Sequence, residues 1–209
     1  MDIIQGIKER RSINFFEPGQ DLSVDTIEEL LELSNLAPSS FNLQPWQVIV
    51  VRDPERKKSL RQCAMNQPKV EEASAVLIII ADPDAVEENR EKVLDSWQEL
   101  GYMKPEMRET YQNMIQMLYG PKNSMKRNLF AVKNAALFGM NLMIAAKGMG
   151  LETHPMDGFD EACIKKEFHV PEQMLIPMLI AIGSLKKDVN LLPRAFRRQI
   201  KDFVRYESF

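Results

Sequence analysis

Val76-Leu77-Ile78-Ile79-Ile80-Ala81 is apolar at every position, and this run decides the fold class. A surface strand would alternate polar and apolar residues. A short aliphatic run with no polar face reads as a strand covered on both sides, central in its sheet. On its N-terminal side, residues 47–52 form a second β-branched run, ended by Asp53-Pro54, and residues 55–63 read as a helix. On its C-terminal side, residues 151–155 read as a short strand and 175–183 as the last core strand, where Pro177 calls for an edge position or a bulge. Helices are predicted over 2–10, with Asp2 as cap and Ile3, Ile4 and Ile7 on one stripe, and over 24–35, with Ser23 as cap and Ile27, Leu30 and Leu31 as the apolar stripe. A further helix follows Asp160 to residue 168.

The longest predicted helix covers 125–149. From 135 to 146 it is apolar around most of its circumference, with Asn141 the one strongly polar interruption. Such a helix is buried on several sides. Ala131, Ala135, Gly139 and Ala146 are small enough for a close approach, which predicts packing against a second subunit as well as its own sheet. Residues 87–119 are helical in composition but interrupted at Gly101 and Pro105, and rich in Met, Trp and Tyr. They fit a packed helical hairpin or a lid over a site.

The composition is that of one ordinary domain over 1–209, with 44% hydrophobic and 27% charged residues. A net charge of -3, from 27 basic and 30 acidic residues, gives no electrostatic reason to expect nucleic acid or an anionic membrane as partner. Cys63 and Cys163 lie a hundred positions apart without metal-ligand spacing, and are expected as reduced, buried small hydrophobes. No apolar run precedes Lys8, Glu9, Arg10 and Arg11, so no signal peptide is expected. The apolar run at 174–182 is broken by Pro177 and too short to span a bilayer. A soluble cytoplasmic protein is the expectation. His154 and His169 are the two histidines, and lacking a third partner they argue against a zinc set or a serine triad.

Polar clusters carry the chemistry. Arg10, Arg11 and Ser12 fall where the first helix gives way to loop, offering two guanidinium forks and a hydroxyl to a doubly charged oxyanion. The tail adds Arg194, Arg197, Arg198 and Lys201. The loop at 38–46, Pro-Ser-Ser-Phe-Asn-Leu-Gln-Pro-Trp, sets Ser39, Ser40, Asn42 and Gln44 between two prolines that break the preceding helix. These groups can hold a polar ligand, or satisfy the loop's own backbone.

Taken in order, Arg10-Arg11-Ser12, the Pro-Ser-Ser-x-Asn-x-Gln-Pro-Trp loop, Ala145-Ala146-Lys147-Gly148-Met149-Gly150-Leu151 and Pro-x-Asp-Gly-Phe at 155–159 resemble the FMN-dependent nitroreductase family. The resemblance implies an α+β sandwich, its central, mostly antiparallel sheet flanked by helices, in an intertwined homodimer with FMN at the subunit interface and residues 87–119 as a helical excursion. It implies electron transfer from NADH or NADPH to nitroaromatic, quinone or similar acceptors by a ping-pong route. Reductive dehalogenation, ene reduction or flavin binding without turnover remain alternatives. Carried over by position, Arg10, Arg11 and Ser12 serve the FMN phosphate and ribityl chain, with Arg197 and Arg194 closing the site from the tail. Pro38, Ser39, Ser40 and Asn42 reach the partner's flavin. Asn66 and Lys69 lie near the polar edge of the ring, and Pro155, Met156, Asp157 and Gly158 present a backbone N–H to flavin N5. Asn14 departs from the family's Arg or Lys, leaving Lys69 as the cation at the ring. The flavin does the chemistry, so no catalytic side chain and no metal are implied.

Overall fold

The computed structural model describes residues 2–209. Its four-stranded sheet runs β1 (Trp46–Val51), β2 (Ala75–Ala81), β3 (Glu152–Met156) and β4 (Leu175–Gly183) in the spatial order β1-β2-β4-β3, antiparallel throughout. The helices, in chain order, are α1 (Ile3–Glu9), α2 (Val24–Ser34), α3 (Pro54–Cys63), α4 (Lys69–Glu72), α5 (Ala85–Glu88), α6 (Arg90–Glu99), α7 (Arg108–Tyr119), α8 (Met125–Gly148) and α9 (Glu161–Phe168). Caps fall where short polar side chains allow: Asp2, Ser23, Asp53, Ser124 and Asp160 each accept from the first-turn backbone.

Every residue of β2 is buried, as an all-apolar strand requires. Leu77, Ile79 and Ala81 pack in one cluster with Ala135, Phe138 and Leu142 of α8. Val76, Ile78 and Ile80 pack in the other with Leu60 of α3 and Ile164 of α9. The period-two pleat thus sends alternate side chains into two separate layers. The α+β sandwich with an antiparallel sheet that the family resemblance implied is the fold observed.

Pro177 lies in β4, an interior strand, and of the edge or bulge that it called for the sheet shows the bulge, a shifted register with Ile79 opposite Met178 but Ala81 opposite Leu175. The bulge removes the need for a proline N–H in the ladder. The small residues of α8 face their own sheet: a Cβ on Gly139 would lie 3.0 Å from Met178 Sδ. The apolar side chains that α8 leaves exposed are others, among them Leu129, Leu137 and Met140. Cys63 and Cys163, expected as unpaired thiols, are joined in a disulfide with their Cα atoms 5.5 Å apart. The end of α3 and the start of α9 are adjacent only in three dimensions, so a spacing of a hundred residues carries no signal.

By length and composition α8 is long and apolar enough to cross a membrane. Its place between sheet and outer helices accounts for that apolarity, and the same helix buries Arg127 and Asn134. Arg127, wholly buried, pairs with Glu87 at 2.6 Å and donates to the Gly120 carbonyl. A buried charge is retained only when partnered. This pair roots the 87–119 excursion on α8, with Ile115 and Tyr119 buried beneath it and Tyr102, Met114 and Met117 exposed.

Candidate functional site

Residues 10–14 leave α1 as an extended segment beside β3. Ser12 bridges Thr153 in parallel, and the Ile13 N–H donates to the Thr153 carbonyl at 3.0 Å. Alternation then buries Ile13 and turns Ser12 and Asn14 outward on one side. Two polar clusters form along this segment.

At its start, Arg10, Arg11, Ser12, Arg194 and Arg197 line a hollow of about 160 Å³. Residues 193–197 are held there because Arg194 Nη2 donates to the carbonyls of Lys8 and Arg10, the second at 3.0 Å, and Arg11 Nη2 reaches the Pro193 carbonyl at 3.5 Å. Arg194 therefore spends donors on the carboxyl end of α1. Arg197 donates to the carbonyls of Ala195 and Phe196 in its own turn. Arg10 Nη1 is buried with no partner. Burial, then repulsion from Arg194 and Arg197, pushes the Arg10 pKa below the usual arginine value, against a smaller pull from Glu152. Guanidiniums crowded in this way call for an anion.

At the other end, Lys69 opens α4 and its Nζ donates to Asn14 Oδ1 at 2.7 Å and meets His154 Nε2 at 3.1 Å. Burial lowers the Lys69 pKa. Next to it, Gln67 Nε2 donates to the Gly158 carbonyl at 2.8 Å, and the Asp160 N–H donates to the Cys63 carbonyl at 2.8 Å. These bonds and the disulfide hold the turn after α3 against the segment after β3, so Lys69 and residues 155–158 share one face. Met156, the last residue of β3, is buried and pairs in register with Leu179 of β4.

The remaining expected residues are not drawn in. Asn66 is exposed, in the left-handed region at φ 55°, and its carbonyl accepts from Arg61 Nε at 3.0 Å. Pro38, Ser39, Ser40 and Asn42 lie on the far side of the sheet layer: the Ser40 N–H donates to Asn134 Oδ1 at 3.0 Å, the Gln44 N–H to Ser39 Oγ at 2.9 Å, and Phe41 stacks on Trp97 with centroids 6.0 Å apart. Asn134, which fixes this loop, gave no signal in the sequence, because it sits inside a largely apolar helix. Gln67 was likewise missed. A larger hollow of about 390 Å³, with Leu31, Trp46, Val48 and Phe138 in its wall, carries Glu28 and Glu32 and no cation. Its sign is wrong for a phosphate.

The sequence model described as "Nitroreductase family" matches residues 7–184. Among curated proteins, "Putative NAD(P)H nitroreductase MhqN" of Bacillus subtilis is 32% identical over 203 residues, 96% of each chain. The "CLA biosynthesis enone reductase" of Lactiplantibacillus plantarum is 25% identical over 190 residues, 90% of this chain and 87% of that one. Among solved structures, a "putative nitroreductase in complex with FMN" from Exiguobacterium sibiricum superposes with a TM-score of 0.86 at 29% identity, covering 99% of this chain and 98% of that one.

Proposed function

Because the chain belongs to the nitroreductase family, we propose that it is an FMN-dependent oxidoreductase that takes electrons from NADH or NADPH and passes them to a nitroaromatic, quinone or similar acceptor. The buried, unpartnered Arg10 Nη1 among three further arginine forks carries this reading. A phosphate monoester near −2 supplies both the charge and the acceptor oxygens that such a cluster lacks. Arg10, Ser12 and Arg197 hold it, with Arg11 and Arg194 fixing the tail behind them. Lys69 and Asn14 meet the polar edge of the ring, Asn66 lies alongside, and the backbone at residues 155–158 faces its reactive side.

When bound, FMN supplies the centre that accepts and later releases hydride. The protein's part is to bind, orient and balance charge, and no side chain serves as general base. Donor and acceptor use the same face in turn, which makes the two half-reactions separable.

The homodimer belongs to the same proposal. From residue 191 onward the tail exposes Leu192, Phe196, Ile200, Phe203, Tyr206 and Phe209, more apolar surface than an isolated chain leaves in water. The Ile3, Ile4 and Ile7 stripe of α1 is exposed as well. A second copy covers these faces and receives Pro38, Ser39, Ser40 and Asn42 at its flavin, with the 87–119 excursion closing over the site. A cytoplasmic location belongs to the proposal, supported by the use of NAD(P)H, and there cellular thiols would set the state of the Cys63–Cys163 bond.

The test is direct. The purified dimer is yellow, releases FMN on denaturation, is bleached by NADH or NADPH without acceptor in the absence of oxygen, and regains colour when acceptor is added afterwards. FAD, no flavin after reconstitution, or reduction only with acceptor present overturns the reading. A second reading, reduction of a conjugated double bond, is favoured by the enone reductase relative. Under the same conditions it predicts that an enone restores the colour faster than a quinone or a nitroaromatic.

A further inference from the structure

His154 is one of two histidines in the chain and had no partner in the sequence. In the fold both of its nitrogens are engaged. Nδ1 lies 3.0 Å from the Ile13 carbonyl oxygen and Nε2 lies 3.1 Å from Lys69 Nζ. A carbonyl oxygen only accepts, so Nδ1 carries the hydrogen; an ammonium only donates, so Nε2 is bare. The contacts thus select one tautomer of the neutral ring, and the lysine beside it disfavours a protonated ring near neutral pH. Burial, then Lys69, hold its pKa down to about 4, consistent with that geometry. From β4, the register partner of His154 is Ala181, which is uncharged.

The consequence falls on Lys69. Its ammonium has three N–H donors. Asn14 Oδ1 takes one and His154 Nε2 another. Both acceptors are neutral, so the charge is oriented without being cancelled, as it would be by a carboxylate in either place. We propose that His154 is a positioning residue whose bare Nε2, with Asn14, aims the third N–H of Lys69 at the pyrimidine edge of FMN. This rests on the FMN reading above. The same imidazole ties the 10–14 segment to β3 through the Ile13 carbonyl, so one side chain sets the place of both clusters.

Sulfite supplies the readout without turnover. Its sulfur lone pair forms a bond to N5 of oxidised flavin and the displaced pair comes to rest at N1, so its affinity reports the positive charge held there. We expect His154→Phe to weaken sulfite binding about tenfold, which is about 1.4 kcal/mol, and Lys69→Met to weaken it more. Combining the two should add nothing to Lys69→Met alone, since one acts through the other. His154→Gln, whose amide oxygen can still accept from Lys69, should return toward wild type. His154→Phe matching wild type with FMN retained, or effects that multiply in the double variant, overturns the inference while leaving the FMN reading intact. Wild-type protein that takes up no FMN overturns both. Should His154→Phe fail to fold, the nitrogen-15 spectrum of histidine-labelled wild-type protein decides: a hydrogen on Nδ1 with a hydrogen-bonded bare Nε2 supports the inference, and a hydrogen on Nε2 ends it.

Discussion

The two clusters at the ends of the 10–14 segment hold positive charge in opposite ways. Around Arg10 the guanidiniums stand together, with Arg10 Nη1 buried and unpartnered. Around Lys69 a single ammonium is gripped by two neutral acceptors. The first is unfavourable without a ligand and is suited to a permanent dianion. The second is satisfied as it stands, and is suited to a group whose charge comes and goes. Affinity is thus expected to reside at the arginines, and reactivity at the lysine.

The bond between Cys63 and Cys163 underlies only the lysine side, because α3 and α9 carry the turns that hold it. Replacing both cysteines with serine should lower unfolding stability by about 2–5 kcal/mol, the range for a native disulfide. Urea titration of oxidised, reduced and variant protein checks this. A loss of FMN affinity larger than the loss of sulfite affinity would contradict the assignment of the disulfide to the lysine side.

Removing an arginine breaks the other cluster. Arg10→Ala should weaken FMN by about 1.5–3 kcal/mol, the range for hydrogen bonds to charged groups, or roughly ten- to a hundredfold. Arg197→Ala should fall in the same range toward its lower end, since Arg197 lies in an exposed turn. Riboflavin, which lacks the phosphate, should bind both variants and wild type alike. Titration by flavin fluorescence at fixed salt reads all three, and an unchanged dissociation constant would remove the residue from the site.

Lys69→Met should act on potential rather than affinity. Two unit charges about 4 Å apart interact by roughly 4 kcal/mol at an effective dielectric near 20, and solvent and salt at an open site reduce this to roughly 2 kcal/mol. For a two-electron couple about 1.4 kcal/mol corresponds to about 30 mV, so the midpoint potential should fall by roughly 40 mV. A spectroelectrochemical titration with an unchanged or raised midpoint would show the lysine to be aimed elsewhere.

The smallest effect is on stability against pH. His154 titrates at about 4 in the folded chain against 6.5 ordinarily, first because of burial and then because of Lys69, with the Ile13 carbonyl opposing. The unfolded chain therefore takes up the proton first as pH falls. The contribution is complete above about pH 6.5 and is lost progressively toward pH 4. At 1.36 kcal/mol per pH unit the whole effect is about 3 kcal/mol, and solvent at a half-buried ring reduces it to roughly 1.5. Denaturant midpoints at pH 7, 5.5 and 4 read this slope, which should be shallower in His154→Phe.

Much of this chain was legible from local pattern. The all-apolar run at β2, the caps at Ser23 and Asp160, and the break at Pro38 each follow from the conformational preferences of a few neighbouring residues. The arginines at 10, 11, 194 and 197 stood out as two separate basic clusters, and the fold gathers them around one hollow. Asn14 was read as a missing cation, and in the fold it is an acceptor for the remaining one. Gly139 was read as a close-approach position for a second subunit as well as the sheet, and in the fold the group that it admits is Met178 of its own sheet.

By itself the sequence determined the order and kind of the elements and which strand is central, because periodicity and capping act within one turn or one pleat. Tertiary structure alone decided which cysteine meets which, that β4 is interior despite Pro177, and that Ile13, Asn14, Lys69 and His154 converge. Those contacts join residues 55 to 141 positions apart, and no local preference records them. They are set by sheet register, since a shift of one residue along β3 would turn His154 to the opposite face and leave Lys69 without its second acceptor.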